Sequence, residues 1–147
     1  MSNAQSQSPV SIGIIGAGMS GMLMAIKLLR EGKTNFKVFE KAQKVGGVWR
    51  ENRYPGVACD VASFAYCYEF EPKADWSRRF SGGAEIQAYF ETVAQKYQLD
   101  DYIEFETSVT SATFSDDKKW LLTTDTGESH NFDILVDATG PLNKKFY

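Results

Sequence analysis

The chain has 147 residues, of which 43% are hydrophobic, with a formal net charge of -3 and a single histidine. This length and apolar content favour one domain around one core. The acidic balance leaves no basic stripe to neutralise phosphates, which argues against a nucleic-acid partner. One histidine and two cysteines outside C-x-x-C spacing give no zinc constellation, so we expect small-molecule partners and reduced thiols at Cys59 and Cys67.

The first 26 residues carry no charge, and two different predictions apply to their two parts. Residues 1–9 are polar and rich in Ser and Gln, which predicts a disordered lead before a folded domain at 10–147. Residues 10–26 carry no charge, but their glycines and the missing basic flank argue against a signal peptide or a membrane segment. We therefore expect a cytoplasmic protein without a membrane partner; the sequence does not indicate its oligomeric state.

The first predicted element is a short strand at residues 10–15 that a parallel sheet would bury on both faces, because its apolar residues are mostly β-branched. A glycine turn follows at once. Gly16, Gly18 and Gly21 have G-x-G-x-x-G spacing, in which the first turns sharply, the second lets backbone approach a pyrophosphate and the third lets helix and strand pack closely.

A helix is predicted over residues 19–30, with Gly32 placed where a left-handed helix end favours glycine. The N-terminus of this helix would direct free N–H groups and the positive end of its dipole at the glycine turn, which suits phosphate oxygens. The pattern therefore indicates a dinucleotide site, although a glycine turn in an ordinary α/β unit is the alternative.

A second strand at residues 36–39 ends in Glu40, which follows Gly21 by 19 positions. An acid about 20 residues beyond the glycines accepts hydrogen bonds from ribose hydroxyls in dinucleotide-binding folds. A carboxylate there would repel a 2'-phosphate, so this pattern predicts FAD or NAD in the site rather than NADP.

Residues 41–80 have no long helical period and many aromatic residues, and long irregular segments of this kind usually line sites. Aromatic residues at every second position from Phe64 to Phe70 predict one aromatic-faced strand; core aromatics under a loop are the alternative.

The remaining elements complete an α/β arrangement. Residues 81–97 have the apolar period of an amphipathic helix and 102–105 predict a third parallel strand. Three short runs at 109–114, 120–124 and 129–132 predict an antiparallel meander. Residues 134–136 would re-enter the parallel sheet, followed by a small-residue turn at 137–140 that is either a ligand contact or only a tight turn.

These motifs together resemble the FAD-binding part of the class B flavoprotein monooxygenases, and among them the Baeyer–Villiger monooxygenases. The resemblance rests on GAGMSG at 16–21, Glu40, GGVW at 46–49, NRYPGVACD at 52–60 and DATGPL at 137–142. It implies a Rossmann-like FAD-binding domain with a parallel sheet and a small antiparallel β-meander. It also implies FAD as cofactor, NADPH as reductant in the intact enzyme, and oxygen insertion beside a ketone carbonyl.

The resemblance also assigns roles to individual residues. The GGVW turn would pass beside the pyrophosphate and ribityl chain, Glu40 would bind the adenosine ribose, and Val109 would offer backbone to the adenine. The full set of implied cofactor contacts is Gly16, Gly18, Met19, Ser20, Gly21, Glu40, Lys41, Gly47, Val48, Trp49, Asp60, Tyr66, Val109, Ala138, Thr139 and Gly140.

Asp60 is the implied catalytic residue. It would lie near the flavin ring, where a buried carboxylate can orient a cation beside an anionic oxygen-transferring species. A solvated or turn-capping aspartate is the alternative. Full members of the family continue with nicotinamide-binding and substrate parts, so we expect a fragment that is inactive alone. An N- or S-oxygenating relative and a non-catalytic dinucleotide-binding module are the other functions that these motifs allow.

Overall fold

The computed structural model describes residues 10–142, so the predicted disordered lead at 1–9 lies outside the described residues. The elements are β1 (Ile12–Ile15), α1 (Met19–Arg30), β2 (Phe36–Phe39), α2 (Val48–Glu51), α3 (Gly83–Lys96), β3 (Ile103–Glu104), β4 (Val109–Phe114), β5 (Trp120–Thr124), β6 (Ser129–Phe132) and β7 (Ile134–Asp137), with 3-10 turns at Ser63–Ala65 and Leu99–Asp101. The predicted helices and strands occur in the predicted order, apart from the strand expected at 64–70, and one short additional helix, α2, lies between β2 and α3.

The predicted β-α-β-α-β unit is confirmed as a parallel sheet with strand order β3-β2-β1-β7. β1 is central, and its last residue Ile15 is in register with Phe39 of β2 and Asp137 of β7. The carboxyl ends of these three strands therefore meet at one edge, which is where ligands bind in open α/β sheets.

One face of the parallel sheet packs against α1 and α3. Ile14 of β1, Val38 of β2, Met22 and Ile26 of α1 and Phe90 of α3 are each at most 1% exposed and belong to one core cluster. The predicted apolar face of α3 is confirmed, because its buried positions recur at three- and four-residue steps. This core fixes the N-terminus of α1 next to the end of β1.

Helix α1 begins and ends where the pattern predicts. At its C-terminus Gly32 has φ +67°, its N–H donates to the Leu29 carbonyl at 3.0 Å, and the Lys33 N–H donates to the Leu28 carbonyl at 2.9 Å. These two bonds are those of a Schellman motif, for which glycine is favoured because it has no Cβ. The buried helix is therefore terminated by backbone geometry rather than by a side chain.

The predicted meander is confirmed as an antiparallel sheet of order β4-β5-β6. It covers the other face of the parallel sheet through a second cluster of Phe39, Leu122 and Phe132. A Cβ at Gly13 would lie 2.7 Å from the Phe132 ring, so β1 carries a glycine where this ring packs. The clustering explains why β1 is buried on both faces, as predicted.

The predicted aromatic-faced strand at 64–70 is wrong. Ser63–Ala65 is a 3-10 turn, and Tyr68 forms only an isolated bridge with Glu71. Phe64 is 77% exposed whereas Tyr68 is 3% exposed, so the aromatics do not share one face. The alternation failed as a signal because no neighbouring strand offers the ladder that an extended segment needs.

Candidate dinucleotide site

The glycine turn after β1 is shaped by close backbone contacts. Gly16 has φ +97°, and a Cβ there would lie 2.7 Å from the Ala138 carbonyl oxygen. A Cβ at Gly21 would lie 1.8 Å from the Gly16 carbonyl oxygen, a distance that no side chain tolerates. The first and third glycines therefore allow the sharp turn and the close helix packing that the spacing predicts.

A second glycine turn lies directly against the first. The Gly46 N–H donates to the Ala17 carbonyl at 3.0 Å. Gly47 has φ +55°, and a Cβ there would lie 3.1 Å from the Cα of Gly18. The predicted contacts Gly18 and Gly47 are thus in direct backbone contact, which a side chain on Gly47 would disturb.

The N-terminus of α1 opens at this contact. Gly18 is the N-cap residue and supplies no side-chain cap, and the first turn contains no acidic residue. The N–H groups of Met19, Ser20 and Gly21 precede the first intrahelical hydrogen bond, from the Met22 N–H to the Gly18 carbonyl at 3.0 Å. Donors with the positive end of the helix dipole fit a pyrophosphate, so these residues suit a dinucleotide.

Glu40 lies behind the turn rather than on the surface, with its side chain 5% exposed. Its Oε2 accepts a hydrogen bond of 2.8 Å from the Ala17 N–H. Its Oε1 accepts from the Ala42 N–H at 3.0 Å and from Nη1 of Arg50 at 3.2 Å. The carboxylate therefore joins the glycine turn, the loop after β2 and helix α2, besides standing where the ribose acid is expected.

Arg50 is a residue of this site that sequence reasoning missed. Its side chain is 9% exposed, and besides Glu40 it donates to the Lys44 carbonyl and, at 2.9 Å from Nη2, to Glu51. Lys41, a predicted cofactor contact, is exposed and pairs with the same Glu51 at 3.3 Å. No sequence signal links an arginine to an acid ten positions earlier, because only the four-residue helix α2 turns Arg50 towards Glu40.

Two predicted aromatic contacts lie together beside the second glycine turn. Trp49 Nε1 donates to the Tyr66 hydroxyl at 3.1 Å, and the two rings meet edge to face with centroids 5.1 Å apart. Next to them the Tyr68 hydroxyl donates to the Met19 carbonyl in the first turn of α1 at 2.6 Å. Burial raises the pKa of Tyr68, so this hydroxyl stays a neutral donor that ties the aromatic segment to the helix.

The turn after β7 closes the same edge. The Ala138 N–H donates to the Ile15 carbonyl at 2.9 Å, which continues the β1–β7 ladder. The Thr139 N–H donates to Asp137 Oδ1 at 3.0 Å, and Gly140 has φ +76°. Thr139 and Gly140 are exposed, and the Cα of Thr139 is 3.5 Å from the Cβ position of Gly16. Of the predicted contacts at this turn, Ala138 is the one that touches the glycine turn closely.

Two predicted residues stand apart from this arrangement. Val109, at the start of β4, packs against the cluster that contains Phe39, next to Glu40. Asp60 is exposed, and its carboxylate makes no hydrogen bond or ion pair with another residue of 10–142. It therefore does not cap a turn, but it matches the other alternative for this residue, a solvated aspartate.

The loop that carries Asp60 is nevertheless held rigidly from behind. Ser63 is 1% exposed and Ser81 is fully buried, and their hydroxyls are 2.9 Å apart. The Cys59 N–H donates to the Ser81 carbonyl at 3.0 Å. Both cysteines are free thiols, as predicted, and Cys59 is buried in this contact. Asp60 thus projects from an anchored loop.

A group of three potential metal ligands lies elsewhere in the described part of the chain. Side-chain ligand atoms of Glu104, Glu128 and His130 lie within 4.8 Å of one another. The Lys37 ammonium, however, already contacts Glu104 Oε2 at 2.7 Å. A lysine on one carboxylate makes this an ion-pair cluster rather than a metal centre, so we assign no metal to it.

The chain is similar to known proteins both in sequence and in fold. Residues 14–80 match the family model of the NAD(P)-binding Rossmann-like domain. A Baeyer-Villiger monooxygenase of Streptomyces coelicolor is 42% identical over 135 residues, which are 91% of this chain and 26% of that protein. The chain therefore spans about a quarter of the length of such relatives, in their N-terminal part.

Solved structures give the same result. An oxidized steroid monooxygenase bound to NADP is 36% identical with a TM-score of 0.86, covering 95% of this chain and 28% of that one. OTEMO in complex with FAD and NADP is 31% identical with a TM-score of 0.87, covering 96% of this chain and 27% of that one. These matches confirm the resemblance and the fold class predicted from the motifs.

None of the helices in residues 10–142 is long and apolar enough to cross a membrane.

Proposed function

We propose that this chain, which is homologous to the N-terminal quarter of the Baeyer–Villiger monooxygenases, binds FAD at the N-terminus of α1, beside its two glycine turns. The observation that carries the proposal is the uncapped N-terminus of α1, which lies next to the backbone contact of Gly18 with Gly47. The N–H groups of the first turn of this helix are free to donate to a pyrophosphate, and the glycines beside them let it approach the backbone closely. A relative named as an FAD-binding monooxygenase, and OTEMO, whose structure contains FAD, support the same ligand.

The chain's own residues have separate tasks in this proposal. The N–H groups of Met19, Ser20 and Gly21 hold the pyrophosphate, and Glu40 accepts a hydrogen bond from the adenosine ribose. The GGVW turn and the Trp49–Tyr66 pair line the ribityl side, because Trp49 belongs to this turn and contacts Tyr66. Lys41, Val109 and the turn at 138–140 enclose the cofactor from the remaining sides.

The reaction that we propose for the intact protein is that of a monooxygenase using NADPH and dioxygen, with ketones as the substrate class. Bound FAD would supply the two-electron chemistry that lets NADPH activate dioxygen. Asp60 would place a fixed negative charge at the flavin end and orient a cation beside it. This role is supported by the anchored loop, which keeps Asp60 exposed and unpaired within residues 10–142.

We further propose a cytoplasmic location. Its support is the pair of free cysteines, Cys59 and Cys67, since proteins of oxidising compartments usually pair their thiols.

The experiment that tests the proposed function is FAD binding by the purified chain. We expect a yellow protein, or a colourless one whose melting temperature rises on addition of FAD. Saturation at a hundred times Kd stabilises the folded state by about 2.7 kcal/mol. If saturating FAD does not raise the melting temperature whereas NAD or ADP does, the FAD assignment is wrong and the chain is a nucleotide-binding module of another kind.

A further inference from the structure

We propose that Arg50 is a positioning residue of the nucleotide site, which acts through Glu40 and limits that carboxylate to a single ribose hydroxyl. The proposal deepens the proposed function and rests on it. It starts from the hydrogen-bond capacity of the carboxylate: its two oxygens offer about four lone-pair positions in total.

The donors around Glu40 fill most of these positions. Oε1 receives the Ala42 N–H at 3.0 Å and Arg50 Nη1 at 3.2 Å, so its two positions are taken. Oε2 receives one hydrogen bond within residues 10–142, from the Ala17 N–H at 2.8 Å. One position therefore remains for a ligand, and it is on the oxygen that faces the glycine turn.

Arg50 is held so that it cannot easily release Oε1. Its Nη2 donates to Glu51 at 2.9 Å, and its Nη1 is shared between Glu40 and the Lys44 carbonyl. Its backbone N–H donates to the Gly47 carbonyl at 3.1 Å, which fixes the start of the side chain to the second glycine turn. Because the pair is nearly buried, separating it would leave an uncompensated charge.

The open position on Oε2 determines how Glu40 recognises the ribose. The ribose hydroxyl that reaches Oε2 contributes a charge-assisted hydrogen bond, and the neighbouring hydroxyl finds no free acceptor on Glu40. Without the Arg50 guanidinium, Oε1 would gain an open position and the second hydroxyl would contribute as well. Arg50 thus determines how many ribose hydroxyls can donate a hydrogen bond to Glu40, although it does not itself contact the nucleotide.

The test uses the full chain and three nucleotides: ADP, 2'-deoxy-ADP and 3'-deoxy-ADP, each measured by calorimetry. We expect one deoxy nucleotide to bind about tenfold or more weaker than ADP, and the other to bind as ADP does. This measurement needs no substitution, so it stands even where a variant fails to fold. Equal losses for both deoxy nucleotides, or no loss for either, would overturn the inference.

The second arm compares Arg50→Met with Lys44→Met, which removes one positive charge from an exposed position next to it. We expect Arg50→Met to make both deoxy nucleotides weaker than ADP, and Lys44→Met to keep the wild-type pattern. A merely structural role of Arg50 would lower the affinity of all three nucleotides by one factor and leave their ratios unchanged, which would refute the inference. If the wild-type chain binds neither FAD nor any of the three adenine nucleotides, the proposed function is wrong. If it binds FAD but Arg50→Met leaves the affinity ratios of the three nucleotides unchanged, only the inference about Arg50 is wrong.

Discussion

The carboxylate of Glu40 accepts a 2.8 Å hydrogen bond from the backbone N–H of Ala17, which joins the end of β2 to the middle of the first glycine turn. The carbonyl of the same Ala17 accepts from Gly46 at 3.0 Å. One fully buried alanine is thus braced from two sides. Glu40, which is expected to bind the ribose, also stabilises the conformation of the first glycine turn. Pyrophosphate binding and ribose binding therefore both depend on this one carboxylate.

Removing this support should lower both stability and affinity. Glu40→Ala is expected to weaken FAD binding by about 1 to 3 kcal/mol, through the lost ribose hydrogen bond. It is also expected to reduce the free energy of unfolding by about 3 kcal/mol or more, because Arg50 loses its buried partner and keeps only the more exposed Glu51, while the Ala17 and Ala42 N–H groups lose their acceptor. FAD titration and urea unfolding separate the two effects. Glu31→Ala, at an exposed acid beyond α1, should change neither, and unchanged FAD affinity in Glu40→Ala would remove Glu40 from the site.

The third glycine of the turn should tolerate no side chain. Gly21→Ala places a Cβ 1.8 Å from the Gly16 carbonyl oxygen, so α1 must move away from β1. We expect a loss of about 3 kcal/mol or more in the free energy of unfolding. Gly32→Ala is the matched control, since its Cβ meets no atom within 4 Å and only its positive φ opposes the change; it should cost about 1 kcal/mol. Similar unfolding midpoints for the two variants would contradict the close packing.

Asp60→Asn should lower the oxygenation activity of an intact enzyme without changing the stability of the fold. The side chain is exposed and unpaired within residues 10–142, so the free energy of unfolding should change by less than about 0.5 kcal/mol. FAD affinity of the chain should also be retained. In an intact homologous monooxygenase the same substitution is expected to leave FAD bound while oxygenation falls, as followed by product formation and NADPH consumption. Normal oxygenation there would end the proposed role of Asp60.

Stability at acidic pH should depend on Asp133, which fixes the start of β1. The Lys119 ammonium, followed by the hydroxyl and N–H of Ser11, holds the pKa of the Asp133 carboxyl well below its usual range. A folded-state pKa below the unfolded value of about 3.9 contributes stability above that value, and the contribution is lost as pH falls further. Asp133→Asn should therefore destabilise the chain at pH 7, and its difference from wild type should shrink at pH 3.

Urea unfolding at the two pH values measures this difference. Asp116→Asn, at an exposed position between β4 and β5, serves as the control and should show no such pH dependence. A gap between Asp133→Asn and wild type that stays constant from pH 7 to pH 3 would show that the carboxylate charge has no part in the anchor.

The sequence by itself determined the main elements, because their signals are local. The glycine spacing, the apolar period of α1 and the turn residues between β4, β5 and β6 each depend on neighbours within a few positions, and the structure confirms them. The motif order likewise sufficed to identify the related family, which the comparisons confirm. The alternating aromatics at 64–70 misled because a strand needs a partner that alternation alone does not supply.

Only the tertiary structure decided what these elements bring together. The contact of Gly18 with Gly47, the burial of Glu40 and its pairing with Arg50 join segments whose separation in sequence carries no periodic signal. Their proximity arises because the parallel register aligns the ends of β1, β2 and β7, and because α2 is a single turn that folds back over the first glycine turn. Local residue patterns specify conformation, whereas long-range packing specifies which donors surround one carboxylate.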